Sequence, residues 1–202
     1  MAGIIPDYVV PLYAEATLWQ AMTTDGPALR ARKVAIVGSG GSGKSALAHE
    51  LGPAMGLDVY HLDAMFWKPG WVRTPKDEWR STIEELVGRD SWLIDGNYAG
   101  TMEMRLAAAD TIVFLDLPRT ICMWGALKRM LLRFGRRRPD MAPECPETFS
   151  WGLFRWIWDY PTNRRPDVLN MIGEHCVGRS IFVLKNPSEV RRFVKVISEV
   201  ST

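Results

Sequence analysis

Residues 38–45 of the sequence are GSGGSGKS. Their first residue, Gly38, is also the last residue of the apolar stretch KVAIVG at residues 33–38. The apolar stretch predicts a short strand that is buried on both faces, as strands of a parallel sheet are. A helix is predicted over residues 43–55. The octapeptide fits the pattern GxxxxGK[ST] and lies between a strand and a helix, which is the setting that this pattern requires. It therefore predicts a phosphate-binding loop.

The residue types of this loop suit a nucleoside triphosphate. Glycines let the backbone curl so that successive N–H groups point at one anion, and the start of the helix adds its positive dipole. Lys44 is expected to reach the β- and γ-phosphates of ATP or another nucleoside triphosphate, and the Ser45 hydroxyl is expected to bind Mg²⁺. The candidate nucleotide-binding residues are Gly38, Ser39, Gly40, Gly41, Ser42, Gly43, Lys44 and Ser45, together with Asn186 and Pro187 at the start of the last predicted helix.

A dinucleotide site is the alternative interpretation of the same residues. Gly38, Gly40 and Gly43 also fit GxGxxG, and Asp63 follows at the distance at which such a site places an acidic residue. The Lys-Ser pair that ends the octapeptide favours the triphosphate loop, because the dinucleotide pattern does not need it.

Strands alternate with helices along the rest of the chain. Further strands are predicted over residues 58–63, 91–95, 111–116 and 180–184, with helical segments between them. This alternation needs crossover connections, and hence an α/β fold with a mostly parallel sheet and helices on both faces. Residues 32–202 are predicted to form this domain. Residues 1–31 are predicted to be an N-terminal extension whose helix, over residues 12–22, packs on the domain or mediates contacts, with disorder of part of the extension as the alternative.

Composition excludes several classes of protein. The chain has 202 residues, of which 47% are hydrophobic and 24% charged, and this argues against a mainly disordered protein. No apolar run approaches the ~18 residues that span a membrane, and the first residues lack the basic start of a secretory signal. The three cysteines have no CxxC spacing, so neither a disulfide framework nor a zinc knuckle is expected. A cytoplasmic location without a membrane partner is therefore expected.

Two aspartates are candidates for a place near Mg²⁺, which P-loop enzymes hold with an acidic group at the end of a neighbouring strand. Asp95 ends the stretch WLID, and Asp116 ends TIVFLD. Gly96 follows Asp95 and lets the backbone come close to a ligand, so Asp95 is predicted to serve the metal together with Ser45. For Asp116, a strand-end cap is the favoured interpretation.

The acceptor side of the site is predicted around Asp63, which ends the stretch YHLD. A carboxylate there orients a hydroxyl acceptor and takes its proton, whereas it repels a phosphate acceptor; a helix or turn cap is the alternative. His61 is expected to be a core or strand residue rather than a base. The aromatic side chains of the next segment, MFWKPGW, and Trp79 belong to the core or form a wall for a flat substrate.

A basic stretch between positions 119 and 140 contains seven basic residues and one acidic residue. Arg129 and Arg133 are four residues apart and share a helix face. They are predicted to act in catalysis when a lid closes on the transferred phosphate. A solvated basic surface and a nucleic-acid patch are the alternatives, and further arginines add to either the lid or the patch. These further arginines are Arg155, Arg164 and Arg165.

The stretches GSGGSGKS, HLDAMFWKPGW, WLIDGNY, FLDLPR and RRRPDM together resemble the topology modulation proteins, an adenylate-kinase-like branch of the P-loop NTPases. The resemblance covers residues 33–200 and implies a five-stranded parallel sheet in the order 2-3-1-4-5, flanked by helices, with a helical lid. By analogy of fold it implies phosphoryl transfer, and the family's name implies an effect on DNA topology. Asp95 and Gly96 match the Asp-Gly beside the nucleotide in adenylate kinases. The residues NYA at 97–99 replace their Phe-Pro-Arg, and Arg105 is the nearest substitute for that arginine.

The expected activity is ATP- and Mg²⁺-dependent phosphoryl transfer to a small-molecule acceptor. The expected catalytic residues are Lys44, Asp63, Asp95, Arg129 and Arg133, and the expected metal ligands are Ser45 and Asp95. The alternative, from a different class, is a nucleic-acid-associated NTPase or regulator that uses ATP as a switch. The acceptor, the preferred base and the oligomeric state stay open.

Overall fold

The computed structural model describes residues 31–136 and 140–200. Apart from Ala31, the predicted N-terminal extension lies outside the described residues, and so does the helix predicted over residues 12–22. Arg137 and Arg138 of the basic stretch lie outside them as well. Ala31 is buried in the core of the domain. Within the two described ranges, no helix is both long enough and apolar enough to cross a membrane.

The described part of the chain contains seven strands. In chain order they are β1 (Lys33–Gly38), β2 (Val59–His61), β3 (Trp67–Lys68), β4 (Val72–Arg73), β5 (Trp92–Asp95), β6 (Thr111–Leu115) and β7 (Ser180–Leu184). Strands β3 and β4 form an antiparallel hairpin, and the other five form one parallel sheet in the order β2-β5-β1-β6-β7. Counted along the large sheet alone, this is the order 2-3-1-4-5, so the predicted fold is confirmed. β1 lies at its centre, between β5 and β6.

Eight α-helices lie in the same ranges. In chain order they are α1 (Lys44–Met55), α2 (Leu62–Phe66), α3 (Lys76–Val87), α4 (Ala99–Ala108), α5 (Arg119–Arg133), α6 (Trp151–Asn163), α7 (Arg165–Glu174) and α8 (Pro187–Val200). Each strand of the parallel sheet is followed by at least one helix, which supplies the crossover that parallel neighbours need.

The second strand is shorter than the sequence predicts. It ends at His61, and α2 begins at Leu62, so Asp63 lies in the first turn of a helix and not at a strand end. The fully buried side chain of Leu62 anchors this turn in the core, and the carboxylate complements the positive end of α2. The aromatic segment that follows continues into the β3–β4 hairpin through a 3₁₀ turn at Pro69–Trp71.

Helices cover both faces of the parallel sheet. Val34 and Ile36 of β1 pack in the layer formed with α1 and α8, whereas Ala35 and Val37 pack in the layer formed with α3, α4 and α7. Successive residues of a strand point to opposite faces, so β1 is buried on both faces, as predicted. The remaining long helices, α5 and α6, pack on each other and against the loop that follows β1. The domain thus surrounds this loop with helices.

Candidate nucleotide and acceptor site

The predicted phosphate loop curls between the end of β1 and the start of α1. Gly38, Gly41 and Gly43 have φ angles of +146°, +72° and +91°, which residues with a side chain rarely adopt. The Lys44 ammonium donates to the carbonyl oxygens of Gly38 and Ser39 at 2.9 and 2.7 Å. Burial lowers the pKa of Lys44. The loop is therefore preformed around its own lysine.

The phosphate loop touches α5 backbone to backbone. A Cβ atom on Gly41 would lie 2.1 Å from the carbonyl oxygen of Cys122, and a Cβ atom on Gly125 would lie 2.3 Å from the carbonyl oxygen of Gly41. From α6, Ile157 lies close enough to Gly40 that a Cβ atom added there would be 3.2 Å from its Cγ1 atom, a tight contact. Sequence reasoning missed these contacts. A glycine inside a predicted helix, which costs ~1 kcal/mol relative to alanine, was the available indication that α5 approaches another backbone at Gly125.

The two predicted metal ligands lie together at the start of α1 and the end of β5. The Ser45 hydroxyl donates to Asp95 Oδ2 at 2.7 Å, and Asp95 is buried. A hydroxyl and a carboxylate are the oxygen donors that Mg²⁺ combines with phosphate oxygens and water in such sites. These residues therefore fit Mg²⁺, and their role as its ligands stays a prediction.

His61 contacts the same carboxylate from β2. Its Nδ1 lies 2.6 Å from Asp95 Oδ1, and this hydrogen bond raises the pKa of His61. The sequence predicts a core or strand residue here, and His61 is the last residue of the edge strand β2, with a partly buried side chain. Asp95 is thus held between a hydroxyl of the phosphate loop region and an imidazole.

The residues after Asp95 join this carboxylate to the acceptor side. The Asn97 side-chain oxygen accepts the Gly38 N–H at 3.0 Å, and the Tyr98 hydroxyl donates to Asp63 Oδ1 at 2.8 Å. One short loop therefore contacts both the phosphate loop and Asp63. Sequence reasoning used Asp95 and Gly96 for the metal site but missed the contact of Asn97, since a single amide has no spacing that reveals its partner.

The suggestion that Arg105 substitutes for a phosphate-binding arginine is wrong. Its side chain is fully buried in α4. Its guanidinium donates to the carbonyl oxygens of Gly96 at 2.8 Å and Asn97 at 2.5 Å. The buried guanidinium binds the backbone of the 96–98 loop, so it cannot hold the phosphate of an acceptor.

The aromatic residues after Asp63 divide between core and surface. Phe66 packs at 5.2 Å from Trp79 and 4.6 Å from Tyr98, measured between ring centroids, and Trp79 is buried. These rings belong to the core layer of α3 and α4. Trp67 and Trp71 form an edge-to-face pair at 5.3 Å on the β3–β4 hairpin. Of the described aromatic residues of this segment, Trp67 and Trp71 are the pair left for the predicted wall against a flat substrate, and that wall stays a prediction.

The two predicted lid arginines have different surroundings. Arg129 is partly buried, and its Nε donates to Glu147 Oε1 at 3.2 Å. Burial is the main cause of the lowered pKa of Lys44, and the charge of Arg129 adds a small lowering, so Arg129 lies within electrostatic range of the phosphate-loop lysine. Arg133 lies exposed in the last turn of α5. Arg129 and Arg133, which the sequence places on one helix face, therefore differ in exposure: Arg129 is partly buried and Arg133 is exposed.

The segment after α5 packs on the β3–β4 hairpin. Cys145 is buried beside Trp67, and its thiol donates to the carbonyl oxygen of Lys68 at 3.5 Å. The Gly70 N–H donates to the carbonyl oxygen of Glu144 at 3.3 Å. The β3–β4 hairpin and this segment thus form one continuous wall.

Asp116, the second strand-end aspartate, forms an ion pair away from the metal ligands. Its two carboxylate oxygens each accept a hydrogen bond from Arg165 at 2.7 Å. This pairing raises the pKa of Arg165. Arg165, which begins α7, was assigned from sequence to the lid or to a nucleic-acid patch; its partner shows that it joins α7 to the end of β6.

Helix α8 begins with a side-chain cap. The Asn186 side-chain oxygen accepts the Glu189 N–H at 3.0 Å, and the Glu189 carboxylate accepts hydrogen bonds from the Asn186 side chain and from the Lys185 N–H, both at 2.6 Å. This is a reciprocal capping arrangement. Pro187 is the first residue of α8. A role of Asn186 and Pro187 in binding the nucleotide stays a prediction.

The fold is similar to that of solved kinases. A shikimate kinase from Acinetobacter baumannii, in complex with shikimate, has a TM-score of 0.56 and 14% sequence identity, over 84% of this chain and 92% of that one. A gluconokinase from Sinorhizobium meliloti 1021 is 16% identical, with a TM-score of 0.44, over 84% of this chain and 93% of that one. An unliganded sugar kinase from Janibacter sp. HTCC2649 is 20% identical, with a TM-score of 0.46, over 85% of this chain and 98% of that one.

No protein-family model matches the sequence, and no curated protein matches it either. The likeness to the shikimate kinase is one of fold, at an identity too low to carry over a substrate. Together with the loop geometry and the sheet order, it shows that the chain has a P-loop kinase-like fold.

Proposed function

We propose that this protein is a P-loop kinase that transfers the γ-phosphoryl group of ATP, or of another nucleoside triphosphate, to a hydroxyl group of a small molecule. The observation that carries the proposal is the pair of aspartates held at the two ends of one loop. Asp95 contacts Ser45 beside the phosphate loop, and Asp63 contacts Tyr98 at 2.8 Å. One carboxylate thus belongs to the donor side and one to the acceptor side.

On the donor side, the loop's N–H groups and Lys44 hold the β- and γ-phosphates. Lys44 exchanges its present carbonyl partners, Gly38 and Ser39, for phosphate oxygens. Ser45 and Asp95 hold Mg²⁺, which, when bound, neutralises charge on the same phosphates. Asn186 and Pro187 lie at the start of α8, where they border the base of the nucleotide.

On the acceptor side, Asp63 orients the hydroxyl group and accepts its proton. A phosphate acceptor is disfavoured for two reasons. The Asp63 carboxylate repels it, and Arg105, the nearest arginine in sequence to the place where adenylate kinases hold one, is buried and bonded to carbonyl oxygens. The Asp63 carboxylate and the burial of Arg105 together favour an alcohol or polyol over a nucleoside monophosphate as the acceptor.

On the lid side, Arg129 stabilises the charge that spreads over the transferred phosphoryl group. In the unliganded protein, Glu147 holds its guanidinium at 3.2 Å. Arg133, one turn further along α5, is exposed and joins the site only if the lid closes over it.

The test is phosphoryl transfer from γ-labelled ATP to a library of sugars, polyols, hydroxy acids and nucleotides. Asp63→Asn keeps the shape of the side chain and removes the proton acceptor, so we expect turnover to fall by about 10²–10⁴-fold with nearly unchanged ATP affinity. Asp77→Asn is the matched control, because Asp77 also lies in the first turn of a helix, α3, but is exposed. Labelled nucleotides as the only products, or equal turnover in Asp63→Asn and wild type, would contradict the hydroxyl-acceptor proposal.

A nucleic-acid-associated NTPase or regulator is the second candidate, and a specific surface favours it. Exposed aromatic and basic side chains lie side by side on and next to α5, among them Trp124, Lys128, Arg133 and Phe134. Stacking on aromatic rings and pairing with arginines is the chemistry that binds single-stranded nucleic acid. The resemblance to topology modulation proteins points the same way.

This second function predicts DNA-stimulated release of phosphate without an added acceptor. The variant Lys128→Ala with Arg133→Ala should then lose salt-sensitive DNA binding while basal ATP hydrolysis persists. DNA binding that is absent in wild type, or unchanged in the double variant, removes the support for this candidate.

A further inference from the structure

A buried cation grips the loop that joins the two halves of the candidate site. The Arg105 guanidinium donates to the carbonyl oxygens of Gly96 at 2.8 Å and Asn97 at 2.5 Å, and it lies 3.4 Å from that of Tyr98. Its Nε donates to the carbonyl oxygen of Thr101 at 3.3 Å. No part of the Arg105 side chain is exposed. Its polar atoms are therefore devoted to the backbone of residues 96–101.

A buried guanidinium needs such partners to be tolerated. An unpaired charge inside a protein is strongly unfavourable, and the planar fork of arginine can reach several carbonyl oxygens at once, whereas lysine is a point charge on a flexible stem. Burial lowers the pKa of Arg105 to about 10, with the charge of Asp95 acting against this shift. Arg105 thus remains a cation at neutral pH.

The gripped residues turn their side chains toward opposite halves of the site. Asn97 accepts the Gly38 N–H of the phosphate loop, and Tyr98 donates to the Asp63 carboxylate. Tyr98 has a φ of +30°, a conformation that non-glycine residues adopt only when their surroundings hold them there. The carbonyl contacts of Arg105 flank this strained residue.

We propose that Arg105 is a positioning residue that sets the distance between the phosphate loop and the acceptor carboxylate Asp63. The proposal rests on the proposed function, because that function assigns donor and acceptor to the two ends of the loop. Arg105 acts through Asn97 and Tyr98: the carbonyl grip fixes their backbone, and their side chains fix Gly38 and Asp63.

Arg105→Lys is the principal variant, because it keeps the cation and loses the fork. Arg179→Lys is the matched control. Arg179 also donates to backbone carbonyl oxygens, at 2.6 Å to Ala107 and 2.8 Å to Ala109. These carbonyls lie just before β6 begins, at the end of the sheet opposite the phosphate loop. Unfolding by urea measures how far each substitution destabilises the domain.

Three readouts separate positioning from mere stability. Hydrogen exchange of the Gly38 amide, measured by NMR in the nucleotide-free protein, should quicken about tenfold or more in Arg105→Lys and stay unchanged in Arg179→Lys. Affinity for Mg²⁺ with a non-hydrolysable ATP analogue should fall about tenfold. Turnover with the identified acceptor should fall about 10²-fold, as expected for a misplaced reacting group.

A double-mutant cycle with Asn97→Ala tests whether Arg105 acts through Asn97. If it does, Asn97→Ala should weaken binding of the ATP analogue in wild type and add little in Arg105→Lys. Fully additive losses, or Gly38 exchange in Arg105→Lys that equals the exchange in Arg179→Lys, would overturn the proposal. If wild type transfers phosphate to no acceptor, the proposed function fails, while Gly38 exchange still decides the role of Arg105.

Discussion

The strands on either side of β1 each lead into an aspartate, and the two aspartates have different partners. Asp95 ends β5, is only 4% exposed, and contacts Ser45 and His61. Asp116 follows β6 and accepts two hydrogen bonds from Arg165. The two positions look alike in the sequence, since each ends an apolar strand beside the phosphate loop.

The chain that follows each aspartate explains the difference. Gly96 has a φ of +136°, and a Cβ atom there would lie 2.8 Å from Leu62 Cβ, so only glycine lets the 96–98 loop fold back beside α2. After Asp116, the residues Leu117 and Pro118 lead directly into α5. The Asp116 carboxylate forms its ion pair with Arg165, the first residue of α7. Arg165 thus takes both carboxylate oxygens of Asp116, whereas Asp95 keeps its contact with Ser45 beside the phosphate loop.

The largest expected effect tests the β5 side. Asp95→Asn removes the negative charge beside Ser45 and keeps the shape of the side chain. We expect turnover to fall by about 10²-fold or more, the cost of losing one preorganised electrostatic group, with a higher Mg²⁺ concentration needed for half-maximal activity. A Mg²⁺ titration of phosphoryl transfer measures both. Wild-type activity and Mg²⁺ dependence in Asp95→Asn would place the metal elsewhere.

A smaller effect, of a different kind, is expected on the β6 side. Asp116→Asn leaves Arg165 without its carboxylate partner, so the free energy of unfolding should fall by about 1 kcal/mol, a modest value because the guanidinium is partly exposed. Turnover should stay nearly unchanged. Urea unfolding and steady-state kinetics measure the two quantities. A loss of turnover as large as that of Asp95→Asn would abolish the distinction between the two aspartates.

A still smaller effect concerns His61 in the nucleotide-free protein. The hydrogen bond to Asp95 raises the pKa of folded His61 above its ordinary value of 6.5. The pair therefore contributes its full stability below pH 6.5, and this contribution is lost as the pH rises through the raised pKa. The difference in the free energy of unfolding between wild type and His61→Gln should therefore become smaller as the pH increases.

The measurement for His61→Gln is urea unfolding at a series of pH values. We expect a change of less than about 1 kcal/mol, because the imidazole is partly exposed. His49→Gln, at an exposed position of α1, controls for the loss of an imidazole. A gap between wild type and His61→Gln that widens with rising pH would show that the bond to Asp95 does not control this histidine.

Removal of residues 1–30 is expected to have no effect on folding or on nucleotide binding. A chain without residues 1–30 keeps Ala31 in the core and keeps both aspartates with their partners. It should fold, bind the ATP analogue and show the same contrast between Asp95→Asn and Asp116→Asn. Loss of folded protein on truncation would show that the predicted helix over residues 12–22 completes the domain, and the extension hypothesis would be withdrawn.

The phosphate loop and the sheet order could be predicted because their determinants are local. Residues 38–45 carry glycines and a lysine at fixed spacing, and the alternation of strands and helices allows few topologies. The cap at Asn186 and Glu189 was predictable for the same reason, since both partners lie within four residues.

The pairings across the site could not be predicted because they depend on tertiary approach. Arg165 meets Asp116 from 49 residues away in the sequence, and Asn97 meets Gly38 from 59. Arg105 illustrates the limit most clearly. An arginine near a phosphate site suggests an anion as its partner, and only the burial of α4 shows that backbone carbonyl oxygens take that place.

The contact between Gly41 and Gly125 bears on which nucleotides the site prefers. Because backbone touches backbone there, α5 and the phosphate loop keep a constant spacing. Arg129 follows Gly125 by one turn of α5, so the same contact sets where its backbone lies relative to the phosphate loop. A nucleoside triphosphate is one phosphate group longer than a nucleoside diphosphate. We therefore expect the protein to bind a nucleoside triphosphate more tightly than the diphosphate, because the longer ligand brings a further anionic group into the electrostatic range of Arg129.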